Sequence, residues 1–158
     1  MPVLVRRQTT RAALDTVTRV LTDVARIPER TEVPAIREAS GSQVVTGATW
    51  KNRGATLKLP SWDSSRVTEV TPQRIAWHTR SMVLGLILVG ADWSYTLKPV
   101  DAGTEITHTF ERVTMFGLPV GLLIKAPFLP MVYLARGAMM AGEKKLDRVL
   151  SEAASTAH

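Results

Sequence analysis

Imidazole is the side chain whose ordinary pKa lies nearest neutrality, and this chain has three, at His78, His108 and His158. It has no cysteine, which removes disulfides, thiol nucleophiles and thiolate metal sites. His108 is the histidine with an informative setting. In "WSYTLKPVDAGTEITHTFE", residues 93–111, residue types alternate along two runs joined by the turn "PVDAG". Trp93, Tyr95 and Leu97 share one face of the first run, and Ile106, His108 and Phe110 share one face of the second. The turn sets the pairing: Leu97 opposite Ile106, Tyr95 opposite His108, Trp93 opposite Phe110. In that register His108 and Tyr95 can hydrogen-bond inside the fold. The pair could orient a ligand carbonyl or hydroxyl, or His108 could act as a general acid–base. Equally, His108 could be a core histidine satisfied by Tyr95 or a water, the commoner fate of a buried polar ring.

The other chemistries find little support. His78 alternates with Trp77 and is expected to face solvent. Three histidines without a motif do not supply the three or four ligands of a zinc site, so no metal is expected. Asp92, Asp101, Glu105 and Glu111 fall off the aromatic face and read as a solvated outer surface. No G-x-S-x-G, P-loop or dinucleotide fingerprint occurs, and no cofactor is expected. Gly85, Gly90, Gly117 and Gly121 are isolated in apolar sequence, as bends or as element ends. The large side chains that would line an internal pocket are Trp77, Trp93, Tyr95, Phe110 and Tyr133, with Met115 and Met131 as adaptable fillers. With His108 these form the candidate ligand-binding set. Trp50, Met139 and Met140 are ambiguous between pocket and core.

The elements that position these residues follow from periodicity. "VLVRRQ", 3–8, reads as a first strand. Thr9 and Thr10 offer N-cap hydroxyls, and Leu14, Val17, Leu21 and Val24 form one apolar stripe, predicting a helix from Arg11 to about Val24. Pro28 interrupts it, leaving a short second helical turn. From 33 to 113 the period is near two. Turns are expected at Gly41, at Asn52–Gly54 and at Pro72, with Pro60 marking an edge or irregular strand. "MVLGLILVGA", 82–91, and "MFGLPVGLLIKAPFLPMVYLARGAMM", 115–140, are the two most apolar stretches. The first is too short to span a bilayer; the second carries Lys125, Arg136 and three prolines. Both read as buried elements, the second with a possible membrane contact. A short helix is expected near 118–126 and a long one from about Pro130 to Glu152. The order strand, two short helices, six to seven antiparallel strands and long terminal helix is an α+β domain occupying 1–158. The sheet has one apolar face and must curl around the helix that covers it. Between a curved sheet and a helix, a cavity is the natural ligand site.

Composition agrees with one globular domain: 158 residues, 45% hydrophobic and 22% charged. The net charge of +6 favours anionic partners. The basic residues are scattered and not interleaved with aromatics, so specific nucleic-acid binding is not expected. "MPVLVRRQTT" does not read as a signal peptide, and a cytoplasmic location is expected. Monomer and homodimer both remain open.

The phrases "VTEVTPQRIAWHT" (67–79), "WSYTLKPVDAGTEITHTFE" (93–111) and the closing "EKKLDRVLSEA" resemble the START-related, Bet v 1-like superfamily. They are most similar to its bacterial polyketide cyclase/dehydrase and lipid-transport (SRPBCC) branch. The resemblance covers almost the whole chain and implies a helix-grip fold with a ligand between sheet and C-terminal helix. Members bind hydrophobic molecules, cyclise polyketides, carry lipids or quinones, or sense hormones. The implied partner is a small hydrophobic molecule. The implied alternatives are a cyclase, aromatase or dehydratase using His108, and a membrane-surface or protein-interaction module. The segment 115–130 departs from the short gate expected there, being longer, more apolar and richer in proline.

Overall fold

A computed structural model describes residues 2–56, 59–119 and 129–156. Among the described residues, eight strands and three α-helices follow in the order β1 (Pro2–Thr10), α1 (Leu14–Thr22), a 3-10 turn (Val24–Arg26), α2 (Ile27–Arg30), β2 (Ile36–Ala39), β3 (Thr49–Thr56), β4 (Leu59–Thr71), β5 (Arg74–Val83), β6 (Leu86–Val100), β7 (Gly103–Met115), β8 (Leu118–Pro119) and α3 (Leu129–Ser155). The sheet is antiparallel, in the order β1-β7-β6-β5-β4-β3-β2, with β8 paired to β7. This is the α+β helix-grip architecture.

The helical stripe is real but shorter than its apolar period suggests. Thr9 and Thr10 belong to β1, and Ala13 stands at the start of α1 without a side-chain cap. Thr10 Oγ1 instead accepts from the Ala12 amide at 3.3 Å. Val17, Val20 and Leu21 are buried. The helix stops at Asp23, whose carboxylate accepts from the Ala25 amide and caps the 3-10 turn. Pro28 lies in the first turn of α2, where its missing N–H costs nothing.

The β6–β7 hairpin has the expected register: Leu97 opposite Ile106, Tyr95 opposite His108 and Trp93 opposite Phe110. Two turns differ from expectation. Asn52–Gly54 is no turn but the middle of β3, paired with Ser61, Trp62 and Asp63 of β4. Gly54 is there for close approach, since a Cβ would fall 2.3 Å from an Asp63 carboxylate oxygen. Likewise 82–91 is not a buried element. It is the end of β5, a tight turn at Leu84–Gly85 and the start of β6, with Leu84 96% exposed. Of the short helix expected near 118–126, Leu118 and Pro119 form β8 instead. Residues 120–126 lie outside the described residues.

Burial is uneven along the sheet. The main core joins Val17 and Leu21 of α1, Ile75, Leu97 and Ile106 of the sheet, and Leu146 and Leu150 of α3. A separate small cluster joins Ala91, Phe110 and Val113 to Met139 of α3. The C-terminal half of α3 is thus packed solid against the sheet, while the part around Ala135–Met139 stands over incompletely filled space. A bulge in β7, where Arg112 and Val113 stand against the single Ala91 of β6, with Arg112 at φ 48°, bends the sheet at that end.

Candidate functional site

The unfilled space is a cavity of about 450 Å³ between the concave sheet face and helices α2 and α3. Inward positions on three neighbouring strands and on β3 beyond them build its floor: Trp77 of β5, Trp93 and Tyr95 of β6, His108 and Phe110 of β7, and Trp50 of β3. The aromatic row from Trp77 to Phe110 is continuous. Ring centroids lie 4.5 Å apart for Trp93–Phe110 and for Tyr95–His108, and 5.3 Å for Trp77–Tyr95. Paired positions of an antiparallel sheet project side by side, so the His108 and Tyr95 rings pack against each other. His108 Nε2 is buried with no hydrogen-bond partner. Burial, reinforced by the Arg30 charge, pushes its pKa down to about 3, so the ring is neutral at physiological pH.

Arg30 is the group that the sequence did not reveal. It ends α2, only 5% exposed, and its guanidinium Cζ lies 6.0 Å from the Tyr95 ring centroid. One guanidinium nitrogen donates to the Leu21 carbonyl at 2.8 Å; its Nε has no partner. Burial lowers its pKa from the usual value, against the pull of Tyr95 and Asp23. Burial also raises the Tyr95 phenol, outweighing the opposing effect of Arg30, so Tyr95 stays protonated and does not neutralise the cation.

A second polar group faces the cavity from β3, β4 and β5. The Asp63 carboxylate accepts from Asn52 at 3.2 Å and from Ser81 at 2.7 Å, and the Ser65 and Thr79 hydroxyls bond at 2.9 Å. Ser81 is six residues along β5 from Ile75, which pairs with Tyr95. The Asp63 and Arg30 ends are therefore separated by about 20 Å of strand. The sequence reading placed no carboxylate inside; Asp63 points in because β4 is in register with β3 through Gly54.

Of the candidate set, Trp77, Trp93, Tyr95, His108 and Phe110 line the cavity. Met115 is half-buried and does not line it, and Tyr133 is exposed on α3. The side chain of Met131 lies outside the described residues. Trp50 and Met139 line it as well; Met140 is exposed. His78 does sit on the opposite sheet face, but half-buried, with Nδ1 2.5 Å from Asp92 Oδ1. Asp92 also pairs with Arg112, so that part of the outer face is an ion-pair network instead of freely solvated carboxylates.

No family model matches the chain, and no curated protein matches it. Solved structures do. An uncharacterized protein from Rhizobium leguminosarum superposes with a TM-score of 0.71 over 94% of this chain and 93% of its own, at 13% identity. Ara h 8.0201 gives 0.64 over 94% and 97%, also at 13% identity. DynU16, a protein of the dynemicin biosynthetic locus, gives 0.59 at 17% identity over 94% of this chain, which spans 46% of DynU16. At these identities the likeness establishes architecture alone, and the architecture is the helix-grip fold.

Proposed function

We propose that the protein binds a small hydrophobic molecule, of ring or chain type, in the cavity between the sheet and α3. The observation that carries this is the cavity itself: about 450 Å³, floored by an unbroken aromatic row, with buried polar atoms left unpaired at one end. Natural interiors seldom leave either space or polar atoms unfilled. A ligand of the lipid, quinone or polyketide kind would fill both. The fold of Ara h 8.0201 and DynU16 agrees with such a site. The enzyme alternative needs His108 to exchange a proton near neutrality, and a pKa of about 3 suits an orienting hydrogen bond better.

The neutral dye N-phenyl-1-naphthylamine provides the test. It is expected to brighten on binding, to quench tryptophan emission and to raise the unfolding temperature. Ala138 of α3 lines the cavity yet is solvent-exposed, so Ala138→Trp should obstruct the mouth without disturbing the core. A tenfold or greater loss of dye affinity at unchanged melting temperature is the expected result. Dye that ignores this substitution is not in the cavity.

A second reading, contact with an anionic membrane surface, has its own observation. Two neighbouring hairpin tips carry large apolar residues where a turn least wants them. Leu84 and Phe116 have φ 51° and 50°, each followed by a glycine at φ 79°. That is the two-residue turn that favours Asn-Gly, and a bulky residue there is strained. Leu84 is 96% and Phe116 64% exposed, with Leu86 and Leu118 beside them. The pairing of Val89 with Met115 sets the two tips side by side. Trp62, half-exposed beneath the Arg53 guanidinium at 5.0 Å, pairs with Met82 near the same edge. Exposed Arg80 and Arg112 and the net charge of +6 complement acidic headgroups. The double variant Leu84→Asn/Phe116→Asn should be more stable by about 0.5–1 kcal/mol per site and should no longer float with vesicles containing phosphatidylglycerol. Flotation equal to wild type would remove this reading.

A further inference from the structure

We infer that the cavity takes a ligand with a single acidic oxygen, a carboxylate or an ionised phenol or enol, seated against Arg30. The inference rests on the ligand-cavity reading and adds the chemical class. A buried guanidinium is costly unless an anion faces it. The chain has 14 Asp and Glu residues, all within the described residues, and none forms an ion pair with Arg30. The two carboxylates whose fields reach this end are already committed. Asp23 accepts from the Ala25 amide and pairs with Arg26. Glu143 of α3 is held by Arg6 at 2.6 Å. Tyr95 remains a neutral phenol. The guanidinium's partners are a backbone carbonyl and the neutral Tyr95 phenol, which take donors but carry no full charge.

The unpartnered atoms are grouped. Arg30 Nε and His108 Nε2 are both buried without partners, on α2 and β7, with Tyr95 of β6 in contact with both side chains. An acid oxygen placed among them meets a cation and an imidazole ring nitrogen in a dry setting, where charge-assisted hydrogen bonds are strong. The Asp63 end has the opposite character. It repels a second anion and accepts hydrogen bonds, so it suits ligand hydroxyls. The two ends fix which way round the molecule lies.

The experiment displaces N-phenyl-1-naphthylamine with matched acid and alcohol pairs at neutral pH: 2-naphthoate against 2-naphthalenemethanol, and dodecanoate against dodecanol. In at least one pair the acid is expected to bind about 10- to 100-fold more tightly than its alcohol, the range of a charged hydrogen bond. A preference in the naphthalene pair alone indicates ring acids, and in the dodecyl pair alone fatty acids; both support the inference. In Arg30→Met the acid-to-alcohol ratio should fall to about one. Where loss of the Leu21 contact prevents that variant from folding, Arg30→Lys should keep a reduced preference. Wild-type protein that binds each acid and alcohol equally overturns the inference while leaving the cavity reading intact. An Arg30→Met protein that keeps the full preference overturns it as well. Dye and all four competitors failing to bind would overturn both.

Discussion

Between pH 6.5 and pH 3 the wild-type protein is expected to lose about 4 kcal/mol of stability that a His108→Phe protein keeps. The folded-state pKa of His108 is lowered from 6.5 to about 3, whereas the unfolded chain takes up its proton at the ordinary value. Within that window the unfolded state binds more protons, so acid favours unfolding. The contribution is whole above pH 6.5 and is lost as the pH falls toward 3, at up to about 1.4 kcal/mol per pH unit. The surroundings explain the direction. Arg30 from α2 adds a like charge, Trp77 and Trp93 supply apolar ring faces, and Tyr95 is neutral. Arg6, which pairs with His108 across β1 and β7, is engaged with Glu143, so no free carboxylate offsets the cost. Phenylalanine keeps the ring volume and removes the titrating nitrogens. Urea unfolding of both proteins at stepped pH gives the difference directly, since acid effects on the other groups are common to both. Parallel curves would mean that His108 titrates normally.

Gly103→Ala should cost at least about 3 kcal/mol, the largest penalty expected of any single methyl group here. Gly103 opens β7 at φ 131°, and a Cβ would fall 2.1 Å from the Thr10 carbonyl oxygen and 2.8 Å from Arg11 backbone atoms. Neither neighbour is a side chain that can swing away. The next residue, Thr104, is fully buried and donates from Oγ1 to the Ala12 carbonyl at 2.9 Å. The β6–β7 turn is therefore clamped on the passage from β1 to α1, and the added methyl would force the two apart. Gly47→Ala is the control. Its φ is 87° with open space around the Cβ position, so it should lose only about 1 kcal/mol of backbone preference. Equal losses at the two sites, measured by denaturant midpoint, would show that strain and not collision governs Gly103.

Legibility in the sequence divided along physical lines. The β6–β7 hairpin was readable because alternation and a short turn fix register locally, and four candidate lining residues followed from it, Trp93, Tyr95, His108 and Phe110. The helix covering the sheet was readable from its period. What was not readable depends on contacts distant in sequence. Gly54 resembled a turn residue, yet its role is to admit Asp63 from the next strand. The run 82–91 looked buried because its composition is apolar; the fold turns it back at Leu84 and exposes the tip. Arg30 sits in "RIPERTEVP", which reads as a short helical turn leading into a strand and says nothing of burial. Only the closure of α2 against α3, beside Gly142, takes it out of water.

The sheet order has a consequence for how the molecule comes into being. Among the described residues β1 pairs only with β7, so that Val5 meets Thr109 and Thr10 meets Thr104. During synthesis β1 thus waits for a partner about a hundred residues further along the chain. Until then both edges stand open, and closure depends on a long-range encounter of the kind that slows folding and invites association between nascent chains.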